Sequence, residues 1–317
     1  MIQKHFPYFN SKVLLFGEYS LMVGSKALSM PSDKFRGRLS FAETQSLQGV
    51  QIQSNHELKK YALALKSMLD NNLLDITFDF ERLFNDLDNG LFFDSNIPQG
   101  YGLGSSGALV AATYNEYGND VKKRDELFTD DETSLLKNSF AKMESFFHGK
   151  SSGLDPLICF LEKPILAEGA DSISTALIPK SKKNGSGVVF LLDTKISGET
   201  QPLVNYFIKQ CKKKSYLESI TKELTPLNDA CINSFFKADI TSLKEEMQLL
   251  SALTLKFFSP MIPEIIKPVW NTGLETGTFA MKLCGSGGGG MMIGFTDDFE
   301  KTKSLINDFE LEVIYRF

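Results

Sequence analysis

The segment "IPQGYGLGSSGALVAATYNEYG", Ile97 to Gly118, sets Gly100, Gly102, Gly104 and Gly107 around Ser105 and Ser106, then runs directly into small and apolar residues. Glycine lets backbone N–H groups approach a ligand with no Cβ in the way. A helix starting there adds unpaired N–H groups and the positive end of its dipole, which together suit an anion, above all a phosphate. A hydroxyl at that helix start, on Ser105 or Ser106, can reach a magnesium ion held between phosphates. The plain alternative is a serine N-cap after a tight glycine turn, and the segment alone does not decide between the two. Gly102, Gly104 and Gly107 also satisfy GxGxxG. No strand stands tightly before them with an acidic residue about 20 positions on, so a dinucleotide-dependent oxidoreductase is the weakest reading. No lysine follows the glycines, as a GxxxxGK phosphate loop requires.

Two other stretches have residues for the same chemistry. In "ESFFHGKSSGLDPL", Glu144 to Leu157, Glu144 shares a helix face with Phe140 and Phe147, so its carboxylate points inward and needs a cation or a proton. A partly exposed glutamate paired with a nearby lysine is the plainer account. Asp155 precedes Pro156, the pattern of an Asp N-cap with proline in the first helical turn. In "KLCGSGGGGMMIGF", Lys282 to Phe295, six Gly and Ser residues separate two apolar runs, where a minimal hairpin needs only about two. Close approach to a ligand or another loop explains the surplus better than a flexible hairpin.

Several elements must position these residues. "KVLLFGEY" reads as a short buried strand broken at Gly17, and "LDITFDFERLF", from Leu74, as a half-buried strand with Ile76, Phe78 and Phe80 on one side. "LFFDSNIPQG" leads through another strand to Pro98. The helix after the glycines ends at Gly118, and a second begins at the capping-box pair Thr129 and Glu132, carries Leu136, Phe140, Met143 and Phe147 inward, and stops at Gly149. "KSKKNGSG", Lys180 to Gly187, is the best linker candidate and precedes the strand "VVFLLDT". Beyond it the pattern predicts helices over 202–210, 216–236 and 241–258. Strand-like "FAMKLCG" and "MMIGF", a helix near 298–309 and a last strand "LEVIYRF" follow, and with its strands separated by helices this half reads as an α+β layer.

Composition narrows the class. The 317 residues carry a formal net charge of -5, with 42% hydrophobic and 23% charged residues, an ordinary globular balance. Phosphate-backbone affinity needs clustered Lys and Arg, so a dedicated nucleic-acid binder is not expected. The opening residues lack the sustained apolar core of a signal peptide, and no run approaches a bilayer span, which places the protein in the cytoplasm, away from the membrane. The four cysteines are widely spaced, without CxxC pairing, and read as buried free thiols. Three histidines, His5, His56 and His148, are too few for a histidine-based metal site.

Lys12 to Gly17, Pro98 to Ala108 and Lys282 to Gly290 stand in the order and rough spacing of the three motifs of the GHMP small-molecule kinases, and the chain resembles that superfamily over nearly its whole length. The middle motif, PxxxGLGSS, stands here as "PQGYGLGSSGA". Within the superfamily, "E…HGKSSGLD" resembles the mevalonate kinases, with Glu144, His148, Gly149, Ser152, Gly153 and Asp155 in register. "LLDTKISGETQPLV", Leu191 to Val204, also resembles their Asn-Thr-Lys segment. Tyr19 replaces the usual histidine of GEH, Ser151 the proline of PSG and Gly107 an alanine, while Cys284, Ser286 and Met291 depart from the third motif.

The resemblance implies an α+β, two-domain fold. The N-terminal domain, 1–185, is ribosomal protein S5 domain 2-like and binds ATP, and the C-terminal one, 186–317, is a ferredoxin-like α/β sandwich. It implies ATP and Mg2+ as cofactors and an acceptor alcohol as small-molecule substrate. Asp155 and Lys12 would flank the acceptor hydroxyl, and Ser106 and Glu144 would hold magnesium. The loop of Pro98, Gly100, Gly102, Leu103, Gly104, Ser105, Ser106 and Gly107 would cradle the phosphates. Glu18 and Tyr19 would lie near the acceptor, the glycine run Gly285 to Gly290 would pack beside the phosphate loop and help shape it, and Gly285, Ser286 and Gly287 would bind substrate. The leading expectation is phosphoryl transfer from ATP to mevalonate. A GHMP kinase for phosphomevalonate or a sugar is the runner-up, and a nucleotide-binding regulatory protein without turnover is the alternative from another class. The oligomeric state stays open, a homodimer being one option.

Overall fold

The computed structural model describes residues 6–42, 47–169, 172–198 and 200–317; His5, and Glu199 of the 191–204 segment, lie outside them. The chain begins with β1 (Phe9–Phe16), β2 (Lys26–Phe41), α1 (Val50–Asp70), α2 (Phe80–Asp88) and β3 (Leu91–Ser95). Next come α3 (Ser105–Tyr117), α4 (Asp130–His148), α5 (Leu154–Leu161), β4 (Ile165–Glu168), β5 (Ile173–Thr175) and β6 (Val188–Asp193). After α6 (Thr200–Cys211) and α7 (Lys214–Ser219), a π turn over Ile220–Leu224 leads to α8 (Thr225–Phe236), α9 (Ile240–Phe258) and α10 (Lys267–Thr276). The chain closes with β7 (Phe279–Leu283), β8 (Met291–Thr296), α11 (Phe299–Leu305) and β9 (Leu311–Arg316). It packs as two compact units, one of Met1–Lys12, Pro31–Pro98 and Gly104–Lys163, the other of Val13–Met30, Gln99–Leu103 and Pro164–Phe317.

In the first unit the end of β2 pairs antiparallel with β3, Gly37–Phe41 against Leu91–Ser95. The small residues of α3 let it be buried nearly all round, against α4 and α5. Tyr114, Phe140 and Phe160, one from each of these helices, meet edge to face with ring centroids 5.0 to 5.7 Å apart, the preferred aromatic geometry. The reciprocal Thr129–Glu132 capping box starts α4, and Gly149, with φ 71°, ends it. An added Cβ on Gly107 would stand 2.8 Å from the Asp155 carbonyl carbon, so only glycine lets α3 lie this close to the start of α5.

In the second unit the start of β2 pairs with β4, and β4 with β5, while a four-stranded antiparallel sheet runs in the order β7-β8-β6-β9. β6 is buried over Val188–Leu192, as an apolar run between two neighbours requires, and α9 and α10 cover β7. The expected linker segment is built into this unit: Lys182 N–H donates to the Arg316 carbonyl, and Gly187 and Phe317 exchange backbone hydrogen bonds.

The structure corrects three local expectations. Only Phe78 of the strand expected from Leu74 makes a bridge, to Gly118, because Asp79 caps the Arg82 N–H and starts α2 at Phe80. The helix expected over 216–236 contains the π turn. β7 and β8, joined by the glycine run, are direct sheet neighbours without an intervening helix. Of the cysteines, Cys159, Cys231 and Cys284 are buried, whereas Cys211 is half-buried.

Candidate active site

Lys12 lies on β1, and 5% of it is exposed. A Cβ on Gly104 would stand 2.8 Å from Lys12 Cγ, so the glycine leaves room for the lysine stem. The Lys12 ammonium reaches the Asp155 carboxylate at 3.0 Å. Asp155 is not the N-cap that its place before Pro156 suggests. Gly153, with φ 75°, occupies that position, Asp155 sits in the first turn of α5, and its side chain is left to face Lys12. Pro156 is tolerated there because N–H groups of a first turn have no helical partner in any case.

The serine N-cap alternative is likewise overturned. Gly104, left-handed at φ 76°, caps α3 without a side-chain bond, and the Ser106 hydroxyl instead donates to Glu144 Oε1 at 2.8 Å. Ser105 occupies the first position of the helix, half-buried. Glu144 is 4% exposed and accepts a second hydrogen bond, from the Ser151 hydroxyl, so its inward carboxylate is held by hydroxyls and not by a lysine ion pair. His148 Nε2 lies 3.0 Å from Ser106 Oγ. Burial first, and the negative charge of Asp155 second, push Glu144 up to about 7, against the pull of Ser151, Ser106 and Lys12.

A buried carboxylate destabilised by desolvation and a second carboxylate, with a hydroxyl beside it, fits a divalent cation, which would relieve both costs. Among the described residues no group of three or more His, Cys, Asp and Glu could hold a metal. Ser106 and Glu144 are the residues that would hold a magnesium ion here, as hard oxygen donors. With Glu144 as a ligand, the ionised carboxylate would be the binding form, and a pH dependence follows. Affinity for Mg2+–ADP should rise about tenfold from about pH 6 to about pH 8 and be nearly flat above that, with proton release on binding. Calorimetry in buffers of different ionisation enthalpy measures both, and an affinity constant over that range removes Glu144 from the cation site. Because the folded value lies above the ordinary 4.5, the stability this group contributes to the cation-free protein is full below about 4.5 and is lost as pH rises through about 7.

The phosphate-loop candidates follow Pro98, with Gly100, Gly102 and Gly104 at φ 76°, 74° and 76°, and Leu103 between the last two anchors the loop at 1% exposure. The backbone of the glycine run packs on this loop. A Cβ on Gly102 would stand 2.6 Å from the Cys284 carbonyl oxygen, and one on Gly290 2.6 Å from Tyr101 Cα. The surplus glycines thus serve a close loop-to-loop approach within a hairpin connection.

Glu18 and Tyr19 are both buried in the second unit. The Lys282 ammonium donates to the Glu18 carboxylate and to the Leu283 carbonyl at 2.9 Å. The Tyr19 hydroxyl donates to the Ser286 carbonyl at 2.7 Å, and the Ser286 hydroxyl donates to Thr200 Oγ1 at 3.0 Å. Lys282→Met leaves Glu18 buried without its cation, and a loss of about 3–5 kcal/mol in urea denaturation is expected; a loss below about 1 kcal/mol contradicts the pairing.

Sequence reasoning gave no role to Ser151, His148 or Lys282. Lys282 had a legible signal, a lone cation inside the apolar run "FAMKL", which demands a buried partner. His148 ends α4 one helical turn after Glu144, on the same face, and Ser151 is recognisable only once the turn after α4 brings it back to Glu144.

Residues 72–163 match the family model of the GHMP kinases N terminal domain and residues 231–312 that of the GHMP kinases C terminal. The chain belongs to the GHMP kinases. A mevalonate kinase of Methanocaldococcus jannaschii is 27% identical over 97% of this chain and 96% of its own. The crystal structure of L. major mevalonate kinase in complex with R-mevalonate shares the fold at TM-score 0.64 and 17% identity, covering 96% of this chain and 90% of that one. Lactococcus lactis galactokinase complexed with galactose shares it at TM-score 0.65 and 14% identity, over 99% and 94% of the two chains. This GHMP kinase is thus most like the mevalonate kinases, in a fold that also carries galactokinases. No helix among its described residues is long and apolar enough to cross a membrane.

Proposed function

We propose that this GHMP kinase transfers the terminal phosphoryl group of ATP to the hydroxyl of mevalonate, acting in the cytoplasm. The observation that carries the reading is the convergence of the Lys12–Asp155 and Ser106–Glu144 pairs around the start of α3. The relative of M. jannaschii, matched end to end, supports mevalonate as the acceptor. We assign 1–185 to nucleotide binding and catalysis and 186–317 to the second domain.

Phosphoryl transfer passes through a loose transition state, so the chain's work is to position groups and neutralise charge. Backbone N–H groups of Gly100 to Gly107 receive the phosphates, and Lys12 offsets charge on the transferring oxygens. Asp155 orients the acceptor hydroxyl by accepting its hydrogen bond, and takes the proton late, once the oxygen has become acidic. Ser106 and Glu144 would hold Mg2+, which when bound would supply charge neutralisation for phosphoryl transfer. Gly285, Ser286 and Gly287 offer backbone groups to the substrates, and Glu18 and Tyr19 act on that loop through Lys282 and Ser286.

Coupled ADP release with a panel of acceptors tests the reading. Mevalonate should support the fastest turnover. A preference for phosphomevalonate moves the acceptor within the superfamily, as does one for a sugar, which the galactokinase fold makes a concrete rival. ATP binding with no transfer to any acceptor identifies a regulatory protein.

A further inference from the structure

Tyr19 holds φ at 60°, a left-handed backbone that a bulky side chain adopts only under compulsion from its surroundings. Its ring packs on Phe207 and Phe258 at centroid distances of 4.9 and 5.2 Å, and its hydroxyl donates to the Ser286 carbonyl at 2.7 Å. Burial raises the phenol above its ordinary value, so it remains a neutral donor.

Ser286 stands between Gly285 and Gly287, at φ 78° and 76°. Glycine takes either sign of φ readily, so the Ser286–Gly287 peptide has little intrinsic preference for one face. In a trans peptide the carbonyl and the following N–H point to opposite sides. Drawing the Ser286 carbonyl to Tyr19 therefore aims the Gly287 N–H away from the phenol. Two amides that follow are taken, Gly288 N–H by the Met261 carbonyl and Gly290 N–H by the Ile196 carbonyl. The Gly287 N–H, on a buried residue, has no hydrogen-bond partner among the described residues.

We propose that Tyr19 is a positioning residue for the nucleotide: its hydroxyl fixes the Ser286–Gly287 peptide so that the Gly287 N–H is a preset donor to a phosphate oxygen. The strained backbone at Tyr19 is then the cost of bringing the phenol to that carbonyl. The proposal rests on the kinase reading and adds a determinant of ATP affinity remote in sequence from the phosphate loop.

Tyr19→Phe keeps the ring stack and removes only the hydroxyl. Titration calorimetry with ATP, which needs no acceptor, is paired with steady-state kinetics. The expected result is an ATP Kd and KM raised about fivefold, the worth of one hydrogen bond, with kcat and the melting temperature little changed. An unchanged Kd and KM overturns the proposal, as does a variant that loses stability while its folded fraction keeps wild-type affinity. If the wild-type protein binds no ATP, the kinase reading fails and this inference with it, whereas wild-type binding matched by Tyr19→Phe sinks the inference alone.

Discussion

Lys12→Met should lower kcat by about 100- to 1,000-fold while leaving the fold intact, the scale of losing one pre-positioned donor to transition-state charge. Methionine keeps the stem that fits beside Gly104. The substitution removes a buried cation, and the Asp155 side chain it leaves is 37% exposed, so water can solvate it. Lys12 also helps hold Glu144 down, so its loss should move the pH profile of Mg2+–ADP binding upward. Steady-state kinetics with thermal melting separates the outcomes. Wild-type turnover in a folded variant would leave Lys12 as nothing more than a buried structural partner of Asp155.

The second large effect is expected from Asp155→Asn. Asparagine still hydrogen-bonds but neither accepts a proton nor draws in a hydroxyl hydrogen as a carboxylate does, and a drop in kcat of about 100-fold or more follows, with nucleotide affinity retained. The charge change has a second signature of opposite sign to that of Lys12→Met. Asp155 pushes Glu144 up, so its neutralisation should let the Glu144 carboxyl fall toward the ordinary range and shift cation binding to lower pH. Intact ATP binding with undiminished turnover refutes both the base and the orienting role.

Much of this site was legible because its parts are local. The glycines and serines of 100–107 announce a tight turn into a helix, and α3 runs from Ser105 to Tyr117 with Gly118 after it. Thr129, Glu132 and Gly149 mark both ends of α4. Residues competing for one job were harder to read. Asp155 before Pro156 has the look of a cap, yet Gly153 takes the cap because it accepts the left-handed backbone. Asp79 breaks an alternating pattern that otherwise reads as strand, since a cap for the Arg82 N–H outweighs the period-two signal over so few residues.

The longest early elements escaped for a related reason. β2 crosses Pro31 and Gly37, residues that usually punctuate a strand, but Gly37 is needed where an added Cβ would stand 2.3 Å from the Phe93 ring. α1 turns Leu58, Tyr61, Ala62 and Leu65 inward at helical spacing, while Val50, Ile52 and Leu63 on its exposed surface blur that face. No local pattern announces the Lys282–Glu18 pair or the Tyr19–Ser286 bond, whose partners are 264 and 267 positions apart.

The most direct test is a crystal of the protein with Mn2+ and a non-hydrolysable ATP analogue, read by anomalous scattering. The proposed magnesium site requires a metal peak beside Ser106 Oγ and the Glu144 carboxylate, with the terminal phosphate facing Lys12 and Asp155. A peak away from that pair, or a nucleotide whose terminal phosphate points away from Lys12, would contradict it.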